Sequence, residues 1–506
     1  MSGSLKFKSL TSLIGQVIQF VVGLIITPFV ISNLGEEYFS LWIFFYTFIS
    51  FEGLFLFGTI QSVNRYVPFY LGKDDNESLV SFVRSHLYFY SFVILLIWLS
   101  VYFLKDVAFN FFELPMDIYI DYSRSIPIII TALSLSIFNK LLIGVNNGHE
   151  NYVYYNISLS ASIILRLVII LLFIDKGFLV LPWALLCSNL FLFILLVFSK
   201  SLQTKNYLKG WSIQKDFDFL KISLVYGGGG MLMYASDALR NQLDTFLILK
   251  FINLKSIAYY KIGTTLIFSV NALCFGLFGV LLTRLSFHKG AGKDEVFKGL
   301  SFKSFFYSSV LASYFILGIS LMAPDFLKLW IGDYNQVSLN IVYLMLIPQL
   351  LMITQYPGVN IMYSLNKHNI LGISTFFEAI LNFTISIILV QKIGVLGVVI
   401  GTATGFMISK GLLIPLMLKK YANLGIFKQL SVLVPNYCIG VLSYGLIYLV
   451  FSNFSFEVTL PIFVLKCFFI TFVYFILFNI YYTFFPKPEA NFFKISEMVK
   501  YINAKI

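Results

Sequence analysis

The sequence predicts an all-α polytopic membrane protein with about fourteen transmembrane helices, and three observations carry that expectation. The mean hydropathy is +0.85. Only 12% of the 506 residues are charged, about half the usage of soluble domains. The apolar residues gather into runs of about 20, the length that crosses a bilayer core as a helix.

Taken in order, the runs place six spans near Leu10–Ile31, Tyr38–Ile60, His86–Phe103, Ser125–Ile143, Val153–Ile174 and Phe178–Phe198. The seventh and eighth fall near Ile222–Lys250 and Ile257–Leu282. Six more follow near Phe305–Ala323, Leu339–Ile361, Ile370–Val390, Val395–Leu418, Val432–Phe451 and Leu460–Phe485. The division at Asp175-Lys176-Gly177 admits two spans or a loop shallow in the membrane. The first run is too long for a signal-peptide core and lacks a small-residue cleavage site, so it reads as an uncleaved span. The loop from Lys105 to Arg124, with four acids among aromatics, reads as an amphipathic piece on the outer face, and the tail from Pro486 as lying along the inner surface.

Most of the 36 Lys and Arg residues fall in connectors, densest at Lys200–Lys221 and Arg284–Lys303. The positive-inside rule puts both clusters, and both termini, in the cytoplasm. The net charge of +12 therefore reads as topology, the competing reading being attraction to anionic lipid or an anionic lipid-linked substrate, with no nucleic-acid partner. The four cysteines and four histidines are scattered, with no metal-ligand spacing and no nucleophile–base constellation. The chain reads as no enzyme, with no cofactor beyond a coupling H+ or Na+.

Gly148-His149-Glu150-Asn151, an apolar run with Arg166, then Lys176-Gly177 is echoed about 217 residues later. There Asn366-Lys367-His368-Asn369 precedes a run with Asn382, then Lys392 and Gly394. Parallel repeats of this kind place a substrate between two halves. The expected domains are an N-terminal six-helix bundle (1–200), a basic cytoplasmic linker (201–221), a C-terminal six-helix bundle (222–420), and two additional helices with a tail (421–506).

Several stretches resemble one family. Glu52-Gly53-Leu54-Phe55-Leu56-Phe57-Gly58 with Asn64-Arg65-Tyr66-Val67 is similar to its second-span signature. Leu329-Trp330-Ile331-Gly332 after Ala323-Pro324 resembles the element after its ninth span. Phe377-Glu378-Ala379-Ile380-Leu381-Asn382-Phe383, Gly394-Val395-Leu396-Gly397 and Gly401-Thr402 resemble its eleventh and twelfth spans, and Gln242-Leu243-Asp244 with Tyr259-Tyr260 its seventh-to-eighth junction. The family is that of polysaccharide transporters, including O-antigen flippases, in the multidrug/oligosaccharidyl-lipid/polysaccharide exporter superfamily. The resemblance implies two six-helix bundles in a V around a central cavity, plus two C-terminal helices. It also implies an undecaprenyl-diphosphate-linked oligosaccharide as substrate in a bacterial inner membrane, with a polysaccharide polymerase and a chain-length regulator as partners of a monomer.

Passing a hydrated anionic headgroup calls for cations, and Arg suits bidentate phosphate contact. Arg166 and Arg240, counted with Lys466 as the basic residues inside spans, and Arg65 at the end of the second span are the headgroup candidates. Arg240 has Asp237 three residues before it and Asp244 four after it, so a self-neutralised helical stripe is the competing reading. Arg166 could instead pair with Glu52 or Glu378 across helices. Those carboxylates, with Asp237 and Asp244, are the candidates for ion coupling or ion pairing. Lys466 reads as snorkelling to the interface. Gly227, Gly228, Gly229 and Gly230 form a hinge or a close-packing surface.

Overall fold

In a computed structural model, residues 2–199, 213–279, 281–453 and 457–486 are described. Among them there are helices and no strands, and eleven helices are long and apolar enough to cross a membrane. With no water at bilayer depth to satisfy backbone N–H and C=O groups, helices close those bonds within each span. The protein is an all-α, multi-pass membrane protein. Residues 201–212 of the expected linker and residues 487–506 of the expected surface tail lie outside the described residues.

The chain forms two compact units, Met1–Ala258 and Tyr259–Ile506. In the first, α1 (Ser2–Ser50) carries the first two expected spans, separated by Gly35 at φ 85°, ψ 170°. The short α2 (Glu52–Phe55) and α3 (Thr59–Gly72) continue the second span across a break at Phe57 and Gly58, both at positive φ. Four helices follow: α4 (Asn76–Phe111), α5 (Tyr119–Gly148), α6 (Tyr152–Phe173) and α7 (Val180–Val197). A 3-10 turn and Gly177 separate α6 from α7, so Asp175-Lys176-Gly177 joins two helices. The piece expected at Lys105–Arg124 is mostly the ends of α4 and α5, joined by one 3-10 turn at Met116–Ile118.

The seventh span begins earlier than its apolar run suggests. Helix α8 (Ile213–Asn241) starts inside the expected linker and runs through the four glycines, and its interruption falls at Gln242, before α9 (Leu243–Phe251). It packs on α2, α3 and α4, and so belongs to the first compact unit.

The second unit begins within α10 (Ser256–Gly279), followed by α11 (Leu281–Gly290). Then come α12 (Asp294–Ile331), α13 (Gln336–Ser364), α14 (His368–Ile393) and α15 (Val395–Ile408). A π-helical turn over Ser409–Leu413 leads from α15 into α16 (Ile414–Ala422). The last two helices, α17 (Ile426–Ser452) and α18 (Leu460–Phe484), dock on α12 through an aromatic core containing Phe306, Tyr474, Phe478 and Tyr482. Tyr482 donates to Asn436 Oδ1 at 2.8 Å, and Asn436 donates to Ser309 Oγ at 2.7 Å. Such polar links across helices matter where lipid supplies no hydrophobic drive for association.

The internal repeat is visible in the backbone. Left-handed residues stand at helix ends in pairs: Asp74 and Gly292, Glu113 and Gly332, Glu150 and Asn366, Gly177 and Gly394. Their separations are 218, 219, 216 and 217 residues. At two pairs the capping bonds are the same as well. The next N–H reaches back five residues, from Asp75 to Tyr70 and Lys293 to His288, and from Asn151 to Asn146 and Lys367 to Met362. This is the Schellman closure, which satisfies carbonyls that a helix end leaves open.

Candidate functional site

The second-span signature and the four-glycine run are packed against each other. Gly58, at φ +70°, sits so close to α8 that an added Cβ would strike the Gly227 carbonyl oxygen. A Cβ on Gly227 would lie 2.8 Å from the Phe57 carbonyl oxygen, and one on Gly53 would lie 2.5 Å from the Tyr234 ring. Gly228 has nothing within 4 Å of such a Cβ. The side-chain surroundings of Gly229, Gly230 and Asp237 lie outside the described residues.

Three further contacts tie the same end of α8 to the unit. Arg65, exposed at the end of the second span, stacks on Tyr226 with its guanidinium carbon 4.4 Å from the ring centroid. Ser62 donates to the Ser223 carbonyl at 2.8 Å. His86 Nε2 lies 2.7 Å from Ser223 Oγ. His86 is fully buried well inside α4, and not at a span end, because α4 begins ten residues before the apolar run.

Of the acids expected inside spans, Glu52 and Glu378 each hold a lysine. Glu52 binds Lys140 of α5 at 2.7 Å and accepts a 2.8 Å hydrogen bond from Ser136, one helical turn away. Glu378 of α14, 1% exposed, accepts from Lys410 at 3.0 Å. Lys410 also donates to Ser409 Oγ at 3.3 Å. The two pairs do not occupy repeat-equivalent positions, since they join the second span to α5 in one unit and α14 to the end of α15 in the other.

The local sequence explains the second pair. Gly397, Gly401 and Gly405 recur every four residues on α15, and Cβ atoms there would meet the α14 backbone at Leu389, Asn382 and Glu378. Small residues at this spacing let two helices approach closely. The motif glycines therefore bring Glu378 against α15, and the π turn that follows contains Lys410. Single π turns are rare and concentrate at functional positions.

Lys140 and Lys410 are the residues that sequence reasoning missed. Both lie inside the runs expected for the fourth and twelfth spans, although only Arg166, Arg240 and Lys466 were counted there. The available signal was the carboxylate itself: an acid within a span requires a partner at bilayer depth. Lys466 is also corrected. It does not snorkel but binds Asp325 of α12 at 2.7 Å, with both side chains largely buried, because the docking of α18 on α12 carries it to that acid.

The three arginines are not gathered in one place. Arg65 lies with Tyr66 and Tyr226. Arg240, near the end of α8, and Asp244, 2% exposed, both interact with other groups. Arg166 lies past the middle of α6, which packs on α1 and α7. It is half-buried, its Nε is enclosed without a hydrogen-bond partner, and it forms no ion pair among the described residues. Glu52, one of its two candidate partners, is held by Lys140. No group of three or more His, Cys, Asp or Glu residues among the described residues could hold a metal ion.

No family model matches the chain, and no curated protein matches it. Solved structures do. A lipid II flippase, MurJ, in an inward closed conformation aligns with a TM-score of 0.76 at 16% identity, over 95% of this chain and 99% of that one. An inward-facing multidrug resistance MATE family transporter of the MOP superfamily aligns with a TM-score of 0.63 at 14% identity, over 85% and 98%. An outward-facing one aligns with a TM-score of 0.60 at 14% identity, over 86% and 96%. At these identities the likeness concerns the backbone, and the chain shares the fold of these structures.

Proposed function

We propose that the protein is a flippase that moves a lipid-linked oligosaccharide, with an undecaprenyl-diphosphate carrier, across the bacterial inner membrane by alternating access. One observation carries the reading: Arg166 is a cation within a membrane span with no carboxylate partner among the described residues. An arginine at bilayer depth costs at least ~2.5 kcal/mol, and a phosphate that accepts from its guanidinium offsets that cost while the oligosaccharide passes. The likeness in fold to a protein titled a lipid II flippase supports a lipid-linked substrate. The glycan belongs to O-antigen or capsule-type export, and a polymerase and a chain-length regulator are the expected partners. Glu52 and Glu378 are the proposed coupling carboxylates, because protonation of either would release a lysine inside the bundle.

The test is surface glycan in a host that lacks its own flippase. Wild-type protein restores it, Arg166→Ala loses it, and Arg166→Lys recovers part of it. Normal glycan from the alanine variant at normal expression would overturn the role of Arg166. Multidrug transporters share this fold, so a drug exporter is the second reading. Raised drug susceptibility in the deletion strain, with unchanged glycan, would favour it.

A further inference from the structure

Within the first unit, α1 and α6 pack side by side. Asn156 donates to Thr11 Oγ1 at 3.2 Å, and four residues further along both helices a Cβ on Gly15 would lie 3.4 Å from Ser160 Oγ. The two helices therefore run in the same direction, and Arg166 stands level with the turn between Gln19 and Gly23. One side of the pair is apolar and open to lipid, with Ile14, Val17 and Val21 of α1 and Ile157, Ile164 and Val168 of α6 each at least 41% exposed. The other side carries Gln16, Gln19 and Gly23, all exposed. Arg166 belongs to that second side, since at 3.6 residues per turn it lies about 160° around α6 from Ile164.

An amide facing hydrocarbon forfeits its hydrogen bonds to water, so two exposed glutamines within a span mark a side that water reaches. Neither Gln16 nor Gln19 forms a hydrogen bond among the described residues. A Cβ added to Gly23 would meet nothing within 4 Å, which leaves room beside the level of Arg166. The charge pattern then selects the ligand. Between Ser9 and Gly35 α1 has no charged residue, and Arg166 is the single charged residue of α6. A cationic ligand finds no carboxylate on this face, and a second anionic group finds no second cation. Amides, with two donors and an acceptor each, match the hydroxyls of an uncharged sugar.

We propose that Gln16 and Gln19 form a subsite for an uncharged sugar, the one joined directly to the phosphate assigned to Arg166. The proposal rests on the flippase reading and adds to it the residues that meet the glycan and the chemical class of its first sugar. The two amides stand one turn apart, about 4.5 Å along the axis, close enough to serve one ring. Both precede the level of Arg166, so the sugar lies on the N-terminal side of its phosphate along α1.

The experiment measures binding to the full chain in zwitterionic nanodiscs. The probes are undecaprenyl diphosphate, bare or carrying one N-acetylglucosamine or one glucuronic acid. Wild-type protein should bind the N-acetylglucosamine form about tenfold more tightly than the bare lipid, and the glucuronic acid form no more tightly than the bare lipid. The double variant Gln16→Leu with Gln19→Leu should bind the bare lipid as wild type does and lose the tenfold preference, a split that general damage to the fold would not produce. If that variant loses its monodisperse peak, Gln19→Ala replaces it and should cut the preference to threefold or less. Equal binding of the bare and N-acetylglucosamine forms by wild type, a preference kept by the variant, or a glucuronic acid form bound as tightly as the N-acetylglucosamine form would each overturn the proposal. Wild-type protein that binds none of the three lipids and restores no surface glycan removes the flippase reading and the subsite together. Restored glycan without any preference for the sugar removes the subsite and leaves the flippase.

Discussion

Lys410 donates to Glu378 at 3.0 Å across the junction of α14 and α15, and both side chains are nearly enclosed. Removing one member of such a pair leaves an uncompensated charge, which typically costs 3–5 kcal/mol, whereas replacing both by apolar residues is often neutral. Lys410→Ala should therefore lower the melting temperature of the purified protein sharply, and Lys410→Met with Glu378→Leu should restore most of the loss. Equal melting of the single and double variants would contradict the pairing.

The glycines of α8 separate packing from bending. Gly227→Ala should reduce the yield of folded protein, because its Cβ meets the backbone of Phe57 and Gly58. Gly228→Ala meets nothing and gains helix propensity of up to ~1 kcal/mol, so its yield should be normal. If bending at Gly227–Gly230 drives transport, Gly228→Ala should still lose export. Normal export from it would remove the hinge proposal and leave a packing surface.

Lys250 at the end of α9 donates to the Phe111 carbonyl at 2.7 Å and to Glu113 at 2.8 Å. That hydrogen bond, with the charge of Lys250, holds the Glu113 carboxyl below the ordinary glutamate range. A lowered folded value means that the carboxylate contact is complete above about pH 4.3, the ordinary glutamate value, and is lost as pH falls through the lower one. Glu113 is exposed, so its loss alone should change little. Lys250→Ala removes both bonds and should speed amide hydrogen exchange over Leu243–Phe251 at pH 7, while Glu113→Gln should not. Equal exchange in both variants would mean that the Phe111 bond holds nothing.

Tyr482→Phe deletes the donor to Asn436 Oδ1 in the core that docks α17 and α18. Buried polar atoms left unsatisfied cost about 1–3 kcal/mol, toward the low end between membrane helices. Thermal unfolding should register a loss of about 1 kcal/mol, and an unchanged curve would show that Asn436 finds another donor.

Much of this architecture is legible in the sequence, and the reasons can be named. Among the described residues the expected spans fall on helical segments, the second and seventh each divided between helices, because long apolar runs have few alternatives in lipid. Glu52 and Glu378 stand out for the same reason, as charges where charges are costly. Their partners are harder to find. Lys140 lies near the end of its run, where lysine ordinarily reaches water, and Lys410 lies in the π turn Ser409–Leu413, which has no composition signature. The break at Phe57-Gly58 is hidden as well. It lies in an apolar stretch whose left-handed backbone depends on the approach of Gly227, 169 residues further on. Contacts between distant backbones are a tertiary property, and no local pattern announces them.

The repeated left-handed corners bear on how the chain is made. Each joins helices that are consecutive in sequence, whereas strong packings such as α1 on α6, α5 on α7 and α12 on α17 link helices farther apart in the same unit. The first unit closes by Ala258, seventh span included. At roughly 5–20 residues per second, that unit is complete while the second is still leaving the ribosome. Insertion of this protein therefore proceeds in two instalments of similar length, and a ribosome stalled just past the midpoint should carry a first unit already resistant to protease.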